Sequence, residues 1–229
     1  MKYYLLSLLL LLSLQACKDK PNNDVKVGDN ETNVQTLSTN QQNSGKKRIM
    51  FFGNSLTAGY GLEEGQDFPS LIQNKLDSLG LEYEVINAGL SGETTSNGLE
   101  RINWVLREPV DIFVLELGAN DMLRGTSVES TEQNLRAILD IVQEKSPDAE
   151  IIIAGMQAAP NMGEDYVDVF NDIYPRLAND YNAELIPFFL KDVAGVESLN
   201  LPDRKHPNVE GQKIVASNVW EVLEPMVQD

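Results

Sequence analysis

Residues 48–56 read RIMFFGNSL, an apolar run from Ile49 to Phe52 that stops at the turn residues Gly53 and Asn54 and is followed at once by Ser55. A short run rich in aromatic and β-branched residues, ended by glycine and asparagine, has the pattern of a strand covered on both faces. Residues 83–88 (YEVINA), 111–117 (DIFVLEL), 150–156 (EIIIAGM) and 183–189 (AELIPFF) also read as strands, and several of them are near-continuous apolar runs of the same kind. Between these runs lie amphipathic stretches at residues 69–79, 95–106, 130–145 and 166–180, and residues 208–227 close the chain. Ser130 with Gln133 serves as a helix start, and Pro147 beyond Lys145 as a stop. Pro175, inside the fourth stretch, is expected to kink or break it.

This alternation predicts an α/β fold, a three-layer α/β/α domain on a flavodoxin-like, doubly wound sheet of five parallel strands. In such sheets ligands sit beyond the carboxyl ends of the strands, so residues able to do chemistry should follow strands directly. Gly53-Asn54-Ser55-Leu56 follows the first strand, GLSG (residues 89–92) the second and GAND (residues 118–121) the third. Each taken alone is an ordinary turn.

The chain has 229 residues, 42% of them hydrophobic, which suffices for one domain of ordinary size with an appendage. Its 18 basic and 35 acidic residues give a formal charge of −17, which argues against nucleic acid and anionic bilayers as partners. A single cysteine, Cys17, excludes an intramolecular disulfide, and with a single histidine, His206, it excludes the usual Cys/His zinc sites. Thiol catalysis and thiolate metal chemistry are therefore not expected.

Lys2 followed by the apolar run of residues 3–14 reads as a secretory signal, too short to span a bilayer as a helix. It ends in Leu14-Gln15-Ala16-Cys17, which resembles a bacterial lipobox, so residues 1–17 are expected to be a lipoprotein signal with lipid attachment at Cys17. An ordinary secretory signal with an incidental cysteine is the alternative. Lys18 stands where an inner-membrane retention signal would usually show Asp, which favours the outer membrane or periplasm. Residues 18–45 are rich in Asn, Asp, Gln, Ser and Thr without an aromatic residue, the composition of a disordered tether. The folded domain is then residues 46–229.

A fourth element gives the strand-end turns a common purpose. Asp203-Arg204-Lys205-His206 precedes the last helix and sets a carboxylate three residues from the only imidazole. A serine nucleophile needs a base, and the base needs a group that fixes its tautomer and stabilises the imidazolium. Ser55, His206 and Asp203 match those roles. The backbone N–H groups of Ser55 and Gly92 and the Asn120 side-chain amide are candidates for an oxyanion hole.

With these residues in view, the chain resembles the SGNH hydrolases, also called the GDSL esterase/lipase family, whose four blocks supply Ser, Gly, Asn and His. The blocks stand in order as FFGNSLTAGYGL, INAGLSGETTSNGLERI, LELGANDMLRG and DRKHPN. Residues 131–136, 173–178 and 186–189 extend the likeness toward the periplasmic thioesterase I/arylesterase/lysophospholipase L1 subgroup. The resemblance implies a cofactor-free hydrolase of acyl esters and thioesters that works through an acyl-serine. It makes Ser55 the nucleophile, His206 the general base and then acid, Asp203 its orienter, and Ser55, Gly92 and Asn120 the oxyanion hole. One position departs from the family pattern: Asn54 stands where the block usually has Asp. Asn is nearly isosteric but uncharged and donates as well as accepts, so activity is expected to persist while rate and pH profile are open to change.

The expected substrates are small acyl esters or thioesters of short to medium chain length. O-acetyl groups on cell-wall or capsular polysaccharide are the alternative, and a non-catalytic surface lipoprotein is a third reading. Residues 155–160 (GMQAAP) are expected to wall the acyl pocket or to form a simple loop. Glu63 and Glu64 are read as solvated surface, Asp121 as a turn or helix cap, Trp104 as a buried helix residue and Trp220 as lying under the His206 loop. The oligomeric state is left open, with a monomer expected.

Overall fold

The structure is a computed structural model that describes residues 45–228. Cys17, the signal and all of the expected tether before Gly45 lie outside the described residues. The elements run β1 (Lys47–Gly53), α1 (Ser55–Ala58), α2 (Phe68–Ser78), β2 (Tyr83–Gly89), α3 (Thr95–Val105), β3 (Ile112–Glu116) and α4 (Ala119–Arg124). They continue with α5 (Val128–Lys145), β4 (Glu150–Ala154), α6 (Glu164–Asn171), α7 (Ile173–Asp180), β5 (Glu184–Ile186) and α8 (Val209–Gln228). The five strands are parallel in the order β2-β1-β3-β4-β5, so the chain winds outward from β1 in both directions. The expected doubly wound three-layer α/β/α fold is what forms.

β1 holds the layers together because its alternate side chains serve opposite faces. Phe51 meets Phe68 of α2 edge-on at 5.2 Å, and Phe68 meets Phe189 at 5.3 Å. Phe52 turns to the other face, 5.8 Å from Phe113. There α3 comes in on Gly98, where an added Cβ would stand 3.2 Å from the Phe52 ring and 2.6 Å from Leu117 Cδ1. α2 packs on α8, and α3 on α5.

Several local expectations shift. α5 starts before Ser130: Ser127 is the cap and its hydroxyl accepts from Ser130 N at 3.1 Å. Pro175 does break the fourth stretch, but the break falls at Asp172, between α6 and α7. Proline has no N–H to give to residue 171, so the ladder fails one turn upstream and Pro175 sits harmlessly in the first turn of α7. β4 and β5 are shorter than the apolar runs: the regular register ends at Ala154 and Ile186, beyond which Gly155 N donates to Ile186 O at 2.8 Å and Gly155 O accepts from Phe189 N at 2.8 Å. Trp104 is exposed rather than buried. The buried stripe of α3 passes through Thr95, Gly98 and Ile102 at helical spacing, and Trp104, two residues beyond Ile102, points away from it. Its ring packs under the Arg107 guanidinium, 4.7 Å from the centroid. Trp220 is buried on α8 and faces Lys75 of α2, whose Nζ lies 4.3 Å from its ring centroid.

Among the buried polar residues, one sits within a core strand. Glu116 ends β3, fully buried, and burial pushes its carboxyl up to about 8 against hydrogen bonds from Thr57 and Asn54 that lower it. A carboxyl raised on folding stabilises below its unfolded value and loses that contribution as pH rises through its folded value.

This packing sets two expectations for stability. Phe51→Ala should cost about 3–5 kcal/mol in urea unfolding, whereas Trp104→Ala should stay within about 1 kcal/mol; equal losses would contradict the assigned faces. The unfolding free energy of wild type relative to Glu116→Gln should decline by ~1.4 kcal/mol per pH unit between the ordinary carboxyl value of 4.5 and about 8. Parallel curves would show that Glu116 does not titrate there.

Candidate active site

The parallel register sets Gly53 of β1 level with Gly89 of β2 and Glu116 of β3. The turns that follow these residues therefore leave the sheet at one edge, over the crevice where strand order reverses between β1 and β3. Leu90 N donates to Gly53 O at 2.9 Å, tying the first two turns together.

Ser55 opens α1 and is nearly buried. Asn54 caps that helix, its Oδ1 accepting from Leu56 N at 2.9 Å. His206 comes from the loop before α8. An Asn200–Pro207 bridge pins that loop, together with hydrogen bonds from Leu201 N to His206 O at 2.7 Å and from Asn208 N to Leu199 O at 2.9 Å. Arg204 takes a φ of 59°, which turns the chain tightly between Asp203 and His206.

Asp203 Oδ1 accepts from Lys205 N at 2.9 Å and His206 N at 3.1 Å, so the carboxylate is fixed by its own backbone. Its Oδ2 then accepts from His206 Nδ1 at 2.7 Å. The hydrogen bond from His206, with help from the Lys205 backbone, pulls the Asp203 carboxyl down to about 2. An ionised carboxylate only accepts, so Nδ1 carries the proton and Nε2 is left as acceptor. Ser55 Oγ lies 2.9 Å from Nε2 and donates to it. Residues 151 positions apart in sequence thus form a continuous Asp–His–Ser hydrogen-bond chain. The Tyr60 ring packs against the imidazole with centroids 4.5 Å apart.

Gly92 and Asn120 form a second group. The Asn120 amide donates to Glu93 O at 2.9 Å, and Arg124 donates to Gly92 O at 2.7 Å, so both carbonyls of this turn are held from α4. Gly92 adopts a φ of 82°, which favours glycine. Below the turn, the buried Glu93 carboxylate pairs with Arg101, whose guanidinium also donates to Ala88 O at 2.9 Å and covers the Phe52 ring at 4.3 Å. No hydrogen bond links Gly92 or Asn120 to Ser55 among the described residues. Asp121 has the capping role: it accepts from Thr95 N at 2.9 Å and Thr95 Oγ1 at 2.7 Å at the start of α3. Glu63 and Glu64 are exposed, as expected. The 155–160 segment packs toward α4 and α6, with Ala159 N donating to Met122 Sδ at 3.3 Å and Ala158 N to Asn171 Oδ1 at 2.8 Å.

The sequence patterns do not single out Tyr60, Glu93, Arg101 or Glu116. Only Glu116 carries a signal, as a carboxylate inside an otherwise apolar strand. Among the described residues no cluster of three or more His, Cys, Asp or Glu is arranged to hold a metal ion, and no helix is long and apolar enough to cross a membrane.

Residues 51–214 match the model of the GDSL-like Lipase/Acylhydrolase family. Esterase TesA of Pseudomonas aeruginosa is 33% identical over 187 residues, covering 81% of this chain and 92% of that protein. Thioesterase 1/protease 1/lysophospholipase L1 of Escherichia coli is 36% identical over 180 residues, covering 78% of this chain and 84% of that protein. The crystal structure of the psychrotrophic esterase EstA from a Pseudoalteromonas species, inhibited by monoethylphosphonate, superposes with a TM-score of 0.75 at 30% identity, over 80% of this chain and all of that one. A match across most of the fold, spanning every block that carries the site, makes this chain a member of the GDSL-like lipase/acylhydrolase family.

Proposed function

We propose that the protein is a serine esterase that hydrolyses short to medium acyl esters, with acyl thioesters and lysophospholipids as related substrates. The observation that carries this reading is the Ser55–His206–Asp203 chain, with a 2.9 Å contact at the hydroxyl and a 2.7 Å contact at the carboxylate. The relatives named as esterase and thioesterase, and the phosphonate-inhibited neighbour, support it.

In this mechanism Ser55 Oγ attacks the acyl carbon as its proton passes to His206 Nε2. The Asp203 carboxylate stabilises the imidazolium without taking its proton. The oxyanion that develops is met by the backbone N–H groups of Ser55 and Gly92 and by the Asn120 amide. The imidazolium then protonates the leaving oxygen or sulfur, leaving an acyl-Ser55. A water activated by His206 hydrolyses that ester and restores the serine. The chain requires no cofactor. The segment at residues 155–160 walls the acyl end, beside Met122 of α4.

Residues 46–229 form the hydrolase domain, exported by the signal at residues 1–17, lipidated at Cys17 and carried on the tether at residues 18–45. That arrangement places a monomeric enzyme at the bacterial envelope, probing small acyl substrates near a membrane. The long polar tether also favours a second substrate class, O-acetyl groups on envelope polysaccharide. Acetate release from acetylated peptidoglycan or xylan, set against turnover of p-nitrophenyl octanoate, separates the two.

Ser55→Ala should abolish hydrolysis of p-nitrophenyl esters from acetate to octanoate, and wild-type turnover in that variant would exclude Ser55 as the nucleophile. Asn120→Ala should lower kcat by about 10²- to 10³-fold. A loss below about threefold would remove the amide from the oxyanion hole.

A further inference from the structure

The mechanism makes no use of Glu116, although its carboxylate is buried directly against the serine turn. All three of its contacts go to residues flanking Ser55. Glu116 Oε1 accepts from Asn54 Nδ2 at 2.7 Å, and Oε2 accepts from Asn54 N at 3.1 Å and from Thr57 Oγ1 at 2.8 Å. Space is equally restricted: a Cβ on Gly53 would stand 2.6 Å from Glu116 Oε2 and 2.2 Å from Thr57 Oγ1. Gly53 and Glu116 are register partners, so the carboxylate is carried to this position by the sheet itself.

These contacts decide which way the Asn54 amide faces. With Nδ2 directed to Glu116, Oδ1 must face the helix start, where it accepts from Leu56 N at 2.9 Å and lies 3.4 Å from Ser55 Oγ. Reversing the amide would set an NH₂ against Leu56 N–H and uncap α1. Resting on the proposed serine mechanism, we propose that Glu116 is a positioning residue for the nucleophile, locking the Asn54 amide so that residues 53–57 hold Ser55 Oγ at His206 Nε2. Asn54, the position where this chain departs from the family's usual aspartate, is thereby half of a complementary pair: the amide donates and the carboxylate accepts.

A donor–acceptor pair can be exchanged end for end. In Glu116→Gln alone, one amide NH₂ must face either Asn54 Nδ2 or the Asn54 backbone N–H, and no rotation satisfies both. Adding Asn54→Asp restores every bond, with donor and acceptor exchanged only between the two side chains. The carboxylate introduced by Asn54→Asp then accepts from the introduced glutamine amide and from Leu56 N, while the glutamine carbonyl accepts from the residue 54 N–H and from Thr57 Oγ1.

The test compares full-length wild type, Ser55→Ala, Glu116→Gln and the double variant Asn54→Asp/Glu116→Gln on p-nitrophenyl butyrate. The pH is set at about 9, above the titration of the buried carboxyl, and melting temperatures verify folding. Glu116→Gln should lower kcat by about tenfold or more with KM within about twofold, and the double variant should recover kcat to within about threefold of wild type. The inference is overturned if Glu116→Gln keeps wild-type kcat, or if the double variant, folded, is no faster than the single one. If Ser55→Ala itself keeps full activity, the serine mechanism fails instead, so the two failures are distinguishable. Should Glu116→Gln not fold, Thr57→Val removes one of the same bonds: a kcat loss at unchanged KM supports the positioning role, and unchanged kcat contradicts it.

Discussion

The parallel register of β1 with its two neighbours is the constraint from which the rest follows. It sets Gly53, Gly89 and Glu116 level across three strands, so the turns that follow leave the sheet together at the edge where winding reverses. A slip of one residue on β1 would exchange Phe51 and Phe52 between the faces and lose both aromatic contacts. The same packing that builds the core therefore fixes where Ser55 stands, and α8 with its preceding loop brings the imidazole to it from the far end of the chain.

The geometry around His206 shows how a surface loop is made rigid enough to orient an imidazole. Asp203 commits one oxygen to its own backbone and the other to the ring, and the Asn200–Pro207 bridge closes the loop behind them. An ionised Asp203, held well below the usual carboxylate range by these hydrogen bonds, leaves the imidazole a single tautomer with Nε2 free to accept from the serine. The opposite case is Glu116, where desolvation outweighs hydrogen bonding and the carboxyl is raised. Two carboxylates near one serine are thus held in opposite regimes by their surroundings.

The central strands β1, β3 and β4 were legible because parallel strands buried on both faces read as continuous apolar runs. Ser55, Gly92 and Asn120 were legible because they follow β1, β2 and β3, whereas Asp203 and His206 follow no strand and stood out only as a carboxylate three residues from the single imidazole. What the pattern hid has physical causes. Trp104 is apolar yet lies off the stripe set by Gly98 and Ile102, which only the helix phase reveals. The short α1 and α4 are capped turns of four and six residues, too brief for periodicity to register. Glu116 acts through contacts with a segment some sixty residues away, and Glu93 and Arg101 pair from a turn to the middle of the next helix; a lone charge in a sequence does not announce its partner. The lone histidine, by contrast, was informative through its scarcity: it falls three residues from the carboxylate that it meets in the structure.

The proposed chemistry stands or falls with Ser55 as the residue that becomes acylated. Treating the full-length protein with a fluorophosphonate and locating the adduct by peptide mass spectrometry tests it most directly. A single adduct is expected on Ser55, absent when His206 is replaced by alanine; an unlabelled protein, or an adduct on any other residue, would overturn Ser55 as the nucleophile.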